Sequence, residues 1–205
     1  MSKILLSTAY FPPINYMAML ASGNAELEAH ESYSRQSYRN RCSIPAANGR
    51  IVLTVPVDEK EKAINNIHIS YKENWQKQHW RTITSAYNNS PYFSHYAHNY
   101  EPYFNSKTKS LFDFNCEILA QLCKDLHVEL PVKTERWIKS PENTLDLRTL
   151  IHPKKSPVIP VLPYYQVFSD KYPFEENSSV IDLLFNLGPD AGEYLRKCYN
   201  NYFKF

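Results

Sequence analysis

Residues 30–41, reading His-Glu-Ser-Tyr-Ser-Arg-Gln-Ser-Tyr-Arg-Asn-Arg, gather three arginines, three serines, two tyrosines and two amides behind one carboxylate, Glu31. Arginine suits anion binding better than lysine, because its planar fork can hold a carboxylate or phosphate through two parallel hydrogen bonds. Tyr38, Arg39, Asn40 and Arg41 are therefore candidate ligand contacts, with Tyr10, Tyr16 and Tyr87 as further hydroxyls from neighbouring segments. Glu31 and His79 are the candidate proton acceptors: a carboxylate or neutral imidazole within hydrogen-bond reach can take a proton from a reacting group. The alternatives stay open. Glu31 can simply neutralise the arginines beside it, and His79 can simply pack against Trp75.

Positioning this chemistry requires a sheet. The apolar run at residues 3–8 reads as a buried strand, and Tyr10-Phe11-Pro12-Pro13 as a rigid entry to a helix. Ile14, Met17, Ala18 and Ala21 recur at helical spacing until Gly23, and residues 26–30 read as a second strand. Strand, helix and strand within about thirty residues is the size of a βαβ unit. Its first loop, residues 8–13, and the segment after Glu31 then share one end of a parallel sheet, where α/β proteins collect ligands. Residues 41–44 and 51–57 read as a hairpin around Asn48-Gly49, with Arg39 and Arg41 on one face and Cys42 on the other as a core residue. Asn74 is expected to cap a helix carrying Trp75, His79, Ile83 and Tyr87, and a second long helix spans 111–126. Arg136-Trp137-Ile138 reads as another strand, followed by a stiff proline-rich passage to Pro163. Ser179 with Asp182 resembles a capping box opening a short helix. After Gly188-Pro189 a last helix turns Tyr194, Leu195, Cys198 and Tyr202 inward. The expectation is one α/β domain over residues 1–205, with a largely parallel central sheet flanked by helices and an added β-hairpin.

Composition narrows the function. A net charge of +2 over 205 residues gives no general attraction to nucleic acid or membranes. The apolar start is too short for a signal peptide or a membrane span, which predicts a cytoplasmic protein without membrane insertion. Four cysteines without a C-x-x-C pair predict reduced thiols. His95 and His98 lie three apart without a third ligand in view, so no metal is expected. Four glycines form neither a G-x-x-x-x-G-K-[ST] nor a G-x-G-x-x-G loop, so no cofactor is expected, and nucleotidyl transfer is the weakest of the enzyme readings.

The order of motifs resembles the WbqC-like proteins. It rests on Tyr10-Phe11-Pro12-Pro13-Ile14-Asn15-Tyr16, the cluster ending Tyr38-Arg39-Asn40-Arg41, Leu53-Thr54-Val55-Pro56-Val57, Trp75 with His79 and Tyr87, Ser90-Pro91-Tyr92-Phe93, Tyr165-Gln166-Val167-Phe168, and Ile181-Asp182-Leu183-Leu184-Phe185-Asn186 with Gly188-Pro189. The resemblance implies a role in O-antigen or related surface-polysaccharide biosynthesis, with transfer of an acyl or aminoacyl group to an amino sugar. The partners implied are a nucleotide-sugar or amino-sugar substrate and an activated acyl donor. The alternative of another class is an accessory that binds an anionic sugar or nucleotide-sugar without chemistry.

Overall fold

The computed structural model describes residues 3–58, 60–139 and 141–203. Strand β1 (Lys3–Ser7), helix α1 (Ile14–Leu20) and strand β2 (Ala25–Glu28) form the expected βαβ unit, with β1 and β2 parallel in the register Ile4 to Ala25 through Ser7 to Glu28. All seven residues of α1 are buried and none is charged, so the helix lies inside the protein rather than on it. Gly23 turns the chain from α1 into β2 with φ +77°, a conformation that glycine adopts without strain.

The hairpin follows as β3 (Arg41–Ala46) and β4 (Gly49–Thr54), antiparallel from Arg41–Thr54 to Ala46–Gly49. Its two-residue turn is Ala47-Asn48, one residue earlier than the Asn-Gly pair suggested, with Gly49 opening β4 at φ +96°. A small ribbon, β5 (Val57–Asp58) with β6 (His68–Ile69), leads to α2 (Trp75–Tyr87), α3 (Phe93–Tyr100), α4 (Pro102–Asn105) and α5 (Leu111–Asp125). Asn74 precedes α2 without bonding to it through its side chain, whereas Ser110 caps α5 by accepting from the Asp113 amide.

Two short strands complete the main sheet: β7 (Val132–Lys133) beside β2, and β8 (Thr144–Asp146) beside β1. The order is β7-β2-β1-β8, all parallel. Residues 136–138, expected as a strand, form none; pairing falls on the segments either side of them. Helices α6 (Val180–Leu187) and α7 (Ala191–Tyr202) then pack on α1. Leu195 and Cys198 point inward as expected, but Tyr202 is half exposed in the last turn, past the surface that α1 offers.

The capping box at Ser179 does not form. The Ser179 hydroxyl bonds the Phe11 carbonyl, and Asp182 is turned into the core, where it accepts from Tyr164, Gln166 (2.7 Å) and Ser178 (3.3 Å). Burial raises the Asp182 carboxyl above its ordinary range, against those hydrogen bonds. Gly192 lets α7 come close: a Cβ there would lie 2.0 Å from the Leu126 carbonyl oxygen.

Candidate functional site

The first loop and the 31–39 segment meet beyond the C-terminal end of β1. The Tyr10 amide donates to the Tyr38 carbonyl at 2.8 Å, joining the two segments through the backbone. Beneath that link Arg39 grips Glu31: its Nε donates to Oε1 at 3.0 Å and its Nη2 to Oε2. Ser7, the last residue of β1, donates to Glu31 Oε2 at 2.9 Å and accepts from Arg39 Nη2 at 2.8 Å. Glu31 and Arg39 are buried, so this is a desolvated ion pair closed by a hydroxyl. Burial pushes the Glu31 carboxyl above its ordinary value, and the bonds from Arg39 and Ser7 oppose that rise.

A narrow crevice opens here, lined by Ser7, Thr8, Ala9, Tyr16, Tyr38 and Arg39, with Leu147 and Ile151 opposite. Its free volume is about 10 Å³, the space of roughly one water. The Tyr16 hydroxyl is buried without a hydrogen-bond partner among the described residues, close enough to Glu31 and Arg39 for both charges to act on it. Its pKa lies well above the ordinary value, chiefly through burial. An unpaired buried hydroxyl costs stability until something polar reaches it.

His79 lies apart from the crevice. Its Nδ1 is 2.9 Å from the Tyr10 hydroxyl, and the Thr54 backbone supplies its other hydrogen-bond partner. Since a carbonyl can only accept, the ring is neutral with the proton toward Thr54, and Tyr10 donates to Nδ1. Burial drops its pKa to about 4, and Trp75 stands edge-on at 5.1 Å. Tyr10 is itself fully buried, stacked near Phe114. Asn40 donates to the Val55 carbonyl at 2.9 Å and pins the end of the hairpin. Arg39 precedes β3 in a turn, so it does not share a strand face with Arg41. Arg41 is half-buried with an unpartnered Nε. Tyr87 is packed on Phe185 near Asp182. Of the nine candidates, Tyr16, Tyr38 and Arg39 line the crevice, Glu31 is bonded to Arg39 and Ser7 of that lining, and Tyr10 is joined to Tyr38 by backbone; His79, Asn40, Arg41 and Tyr87 are elsewhere.

Sequence reasoning passed over the larger part of the charge at this sheet edge. Glu28, at the end of β2, is fully buried and accepts from Arg148 (3.2 Å), Thr134 (2.9 Å), and the amides of His30 and Ile138. Arg148 also forks onto Asp146 at 2.9 and 2.6 Å, and its guanidinium lies 4.5 Å from the Trp137 ring centroid. That bonding lowers the Asp146 carboxyl and raises Arg148. The only sequence signal was the acidic residue ending β2; its partner lies 120 positions away.

The four cysteines are free. Burial drives the Cys42 thiol far above its ordinary value and Cys123 to about 12, so neither is a ready nucleophile. Among the described residues no three His, Cys, Asp or Glu side chains are grouped to hold a metal ion, and no helix is long and apolar enough to cross a membrane.

An uncharacterized protein of Mycobacterium tuberculosis, Rv1507c, is 24% identical over 229 aligned positions that take in 97% of this chain and 99% of its own. No solved structure matches the chain. The profile of the WbqC-like protein family matches residues 8–155, which takes in the first loop, the Glu31–Arg39 pair, the hairpin and the Arg148 network. The chain belongs to the WbqC-like protein family.

Proposed function

We propose that the protein serves surface-polysaccharide biosynthesis of the O-antigen type by transferring an acyl or aminoacyl group to the amine of an amino sugar, free or nucleotide-linked. Family membership supports the biological class. The carboxylate of Glu31, fixed by Arg39 and Ser7 at the C-terminal edge of a parallel sheet with its pKa raised, carries the chemical reading. In the transfer, the amine nitrogen bonds to the acyl carbon, the bond from that carbon to the donor's leaving group breaks, and the nitrogen's proton passes to Glu31. A carboxyl displaced upward from its usual range is a better proton acceptor than an ordinary one. Arg39 holds the carboxylate in place, and Tyr16 offers its free hydroxyl to the acceptor. His79, with both ring nitrogens engaged, orients Tyr10 and hence the first loop. The crevice must widen to admit a sugar, which the bonds closing it, Ser7 to Glu31 and Tyr10 to Tyr38, can allow. The same reading places the protein in the cytoplasm, where its cysteines remain reduced.

The test is turnover with nucleotide-linked and free amino sugars against a panel of acyl and aminoacyl thioesters and adenylates, read by mass spectrometry. Glu31→Gln is expected to lower the rate about a hundredfold or more while acceptor binding persists. Acceptor binding without turnover in the wild type would assign the protein instead to sugar binding as an accessory.

A further inference from the structure

A second, larger space lies away from the crevice. Residues 166–175 form a strap that crosses the β3–β4 hairpin and is tied down at both ends. The Tyr172 hydroxyl donates to the Ala47 carbonyl at the hairpin tip (3.2 Å), and Glu175 meets Arg50 on β4 at 3.4 Å. Gln166 closes the strap on itself: its Oε1 accepts from the Glu175 amide (2.9 Å) and its Nε2 donates to the Glu175 carbonyl (3.2 Å) and to buried Asp182 (2.7 Å). Between strap and hairpin is a cavity of about 180 Å³, lined by Pro45, Ala46, Gly49 and Arg50 of the hairpin and by Phe168, Tyr172 and Glu175 of the strap.

We infer that this cavity is a subsite for a single neutral sugar ring, resting on the proposed action on a sugar. Size argues for one ring, because pockets that take drug-sized ligands begin at about 300 Å³ and a whole nucleotide-sugar needs more. The lining argues for a sugar. Phe168 and Tyr172 bring to the lining two aromatic rings, the side chains that pack on the C–H face of a pyranose, and the paired charges of Arg50 and Glu175 offer a donor and an acceptor side by side. A phosphate meets repulsion from Glu175 and a bare ammonium meets it from Arg50, whereas neighbouring hydroxyls both donate and accept. Arg50 is pre-set for this, since it also donates to the Ser43 hydroxyl at 3.0 Å, and the 3.4 Å contact to Glu175 is loose enough for hydroxyls to replace.

The probes are the methyl glycosides of glucose, galactose, mannose and N-acetylglucosamine, observed on the full chain by saturation-transfer NMR and titration. At least one is expected to bind with millimolar affinity. Tyr172→Ala and, separately, Glu175→Gln are expected to weaken it tenfold or more, with thermal unfolding midpoints verifying that each variant is folded. If none of the four binds, or if binding is unchanged in both folded variants, the subsite is refuted. Acyl transfer persisting in that case would leave the proposed function standing; glycoside binding of the expected kind without acyl transfer in any combination would uphold the subsite and remove the transferase reading.

Discussion

Protonating His79 is expected to destabilise the folded protein from the inside, and the size of the effect follows from its surroundings. The ring is neutral, its Nδ1 accepts from Tyr10, and burial lowers its pKa from 6.5 to about 4. The unfolded chain takes up the proton near 6.5, while the folded one resists it until about 4. Between those values the unfolded state holds more protons, so stability rises with pH across the window and is lost as pH falls through it. A displacement of that size corresponds to about 3 kcal/mol, absent at pH 7 and fully felt below pH 4. His79→Gln removes the titration and keeps a polar side chain for Tyr10. Urea unfolding followed by tryptophan fluorescence at half-unit steps from pH 7 to 4 should show the variant less stable than wild type at pH 7, with the gap closing by about 3 kcal/mol toward pH 4. Parallel profiles would refute the burial argument, as would an imidazole C–H resonance of His79 titrating near 6.5, which needs no variant at all.

Three further outcomes follow from the packing. Arg39→Met leaves Glu31 buried without its cation and is expected to cost about 3–5 kcal/mol in urea unfolding, while Glu31→Gln with Arg39→Met together should recover at least half of that; additive losses would show the two side chains act independently. Gly192→Ala drives a methyl group into the Leu126 carbonyl and should lower the thermal midpoint by several degrees, a result absent if α7 can shift outward at no cost. Iodoacetamide under native conditions should label Cys116, the only half-buried cysteine, well before Cys42, Cys123 and Cys198, as peptide mass spectrometry can read.

The elements legible in the sequence are those whose signals are local. Ile4-Leu5-Leu6, the Pro12-Pro13 entry and Gly23 mark out the βαβ unit within about a residue at each end, and the alternation around Asn48-Gly49 gives the hairpin. The crevice followed from these, because a parallel pair fixes which loops share an end. Strands β7 and β8 could not be read: with two and three residues they are too short for any periodicity, and they exist only because β2 and β1 offer open edges. The same distance in sequence hid the charge pairing. Glu28 and Arg148 are each unremarkable in their own surroundings, and nothing near Asp182 announces that Tyr164 and Gln166 will turn it from a helix cap into a buried acceptor. Arg39 was a ligand candidate for its fork geometry and its spacing from Arg41, with neutralisation by Glu31 as the alternative; that Glu31 takes the fork depends on how the loop folds back.

The backbone that closes the first loop has a consequence for how the chain is made. Pro12 and Ile14 are joined to residues 178–180 by two backbone hydrogen bonds, the Ile14 amide donating to the Ser178 carbonyl and the Val180 amide to the Pro12 carbonyl, and the Ser179 hydroxyl donates to the Phe11 carbonyl across 168 positions. At about 5–20 residues per second, a ribosome needs roughly ten to thirty seconds to supply those partners after the first loop emerges. During that interval the uncharged α1, buried on every side in the finished protein, has β1 on one side and lacks the cover of α6 and α7 on the other. A fragment ended at residue 155 keeps the stretch that the family profile matches yet leaves the α6 and α7 side of α1 open to water, so it is expected to aggregate rather than fold.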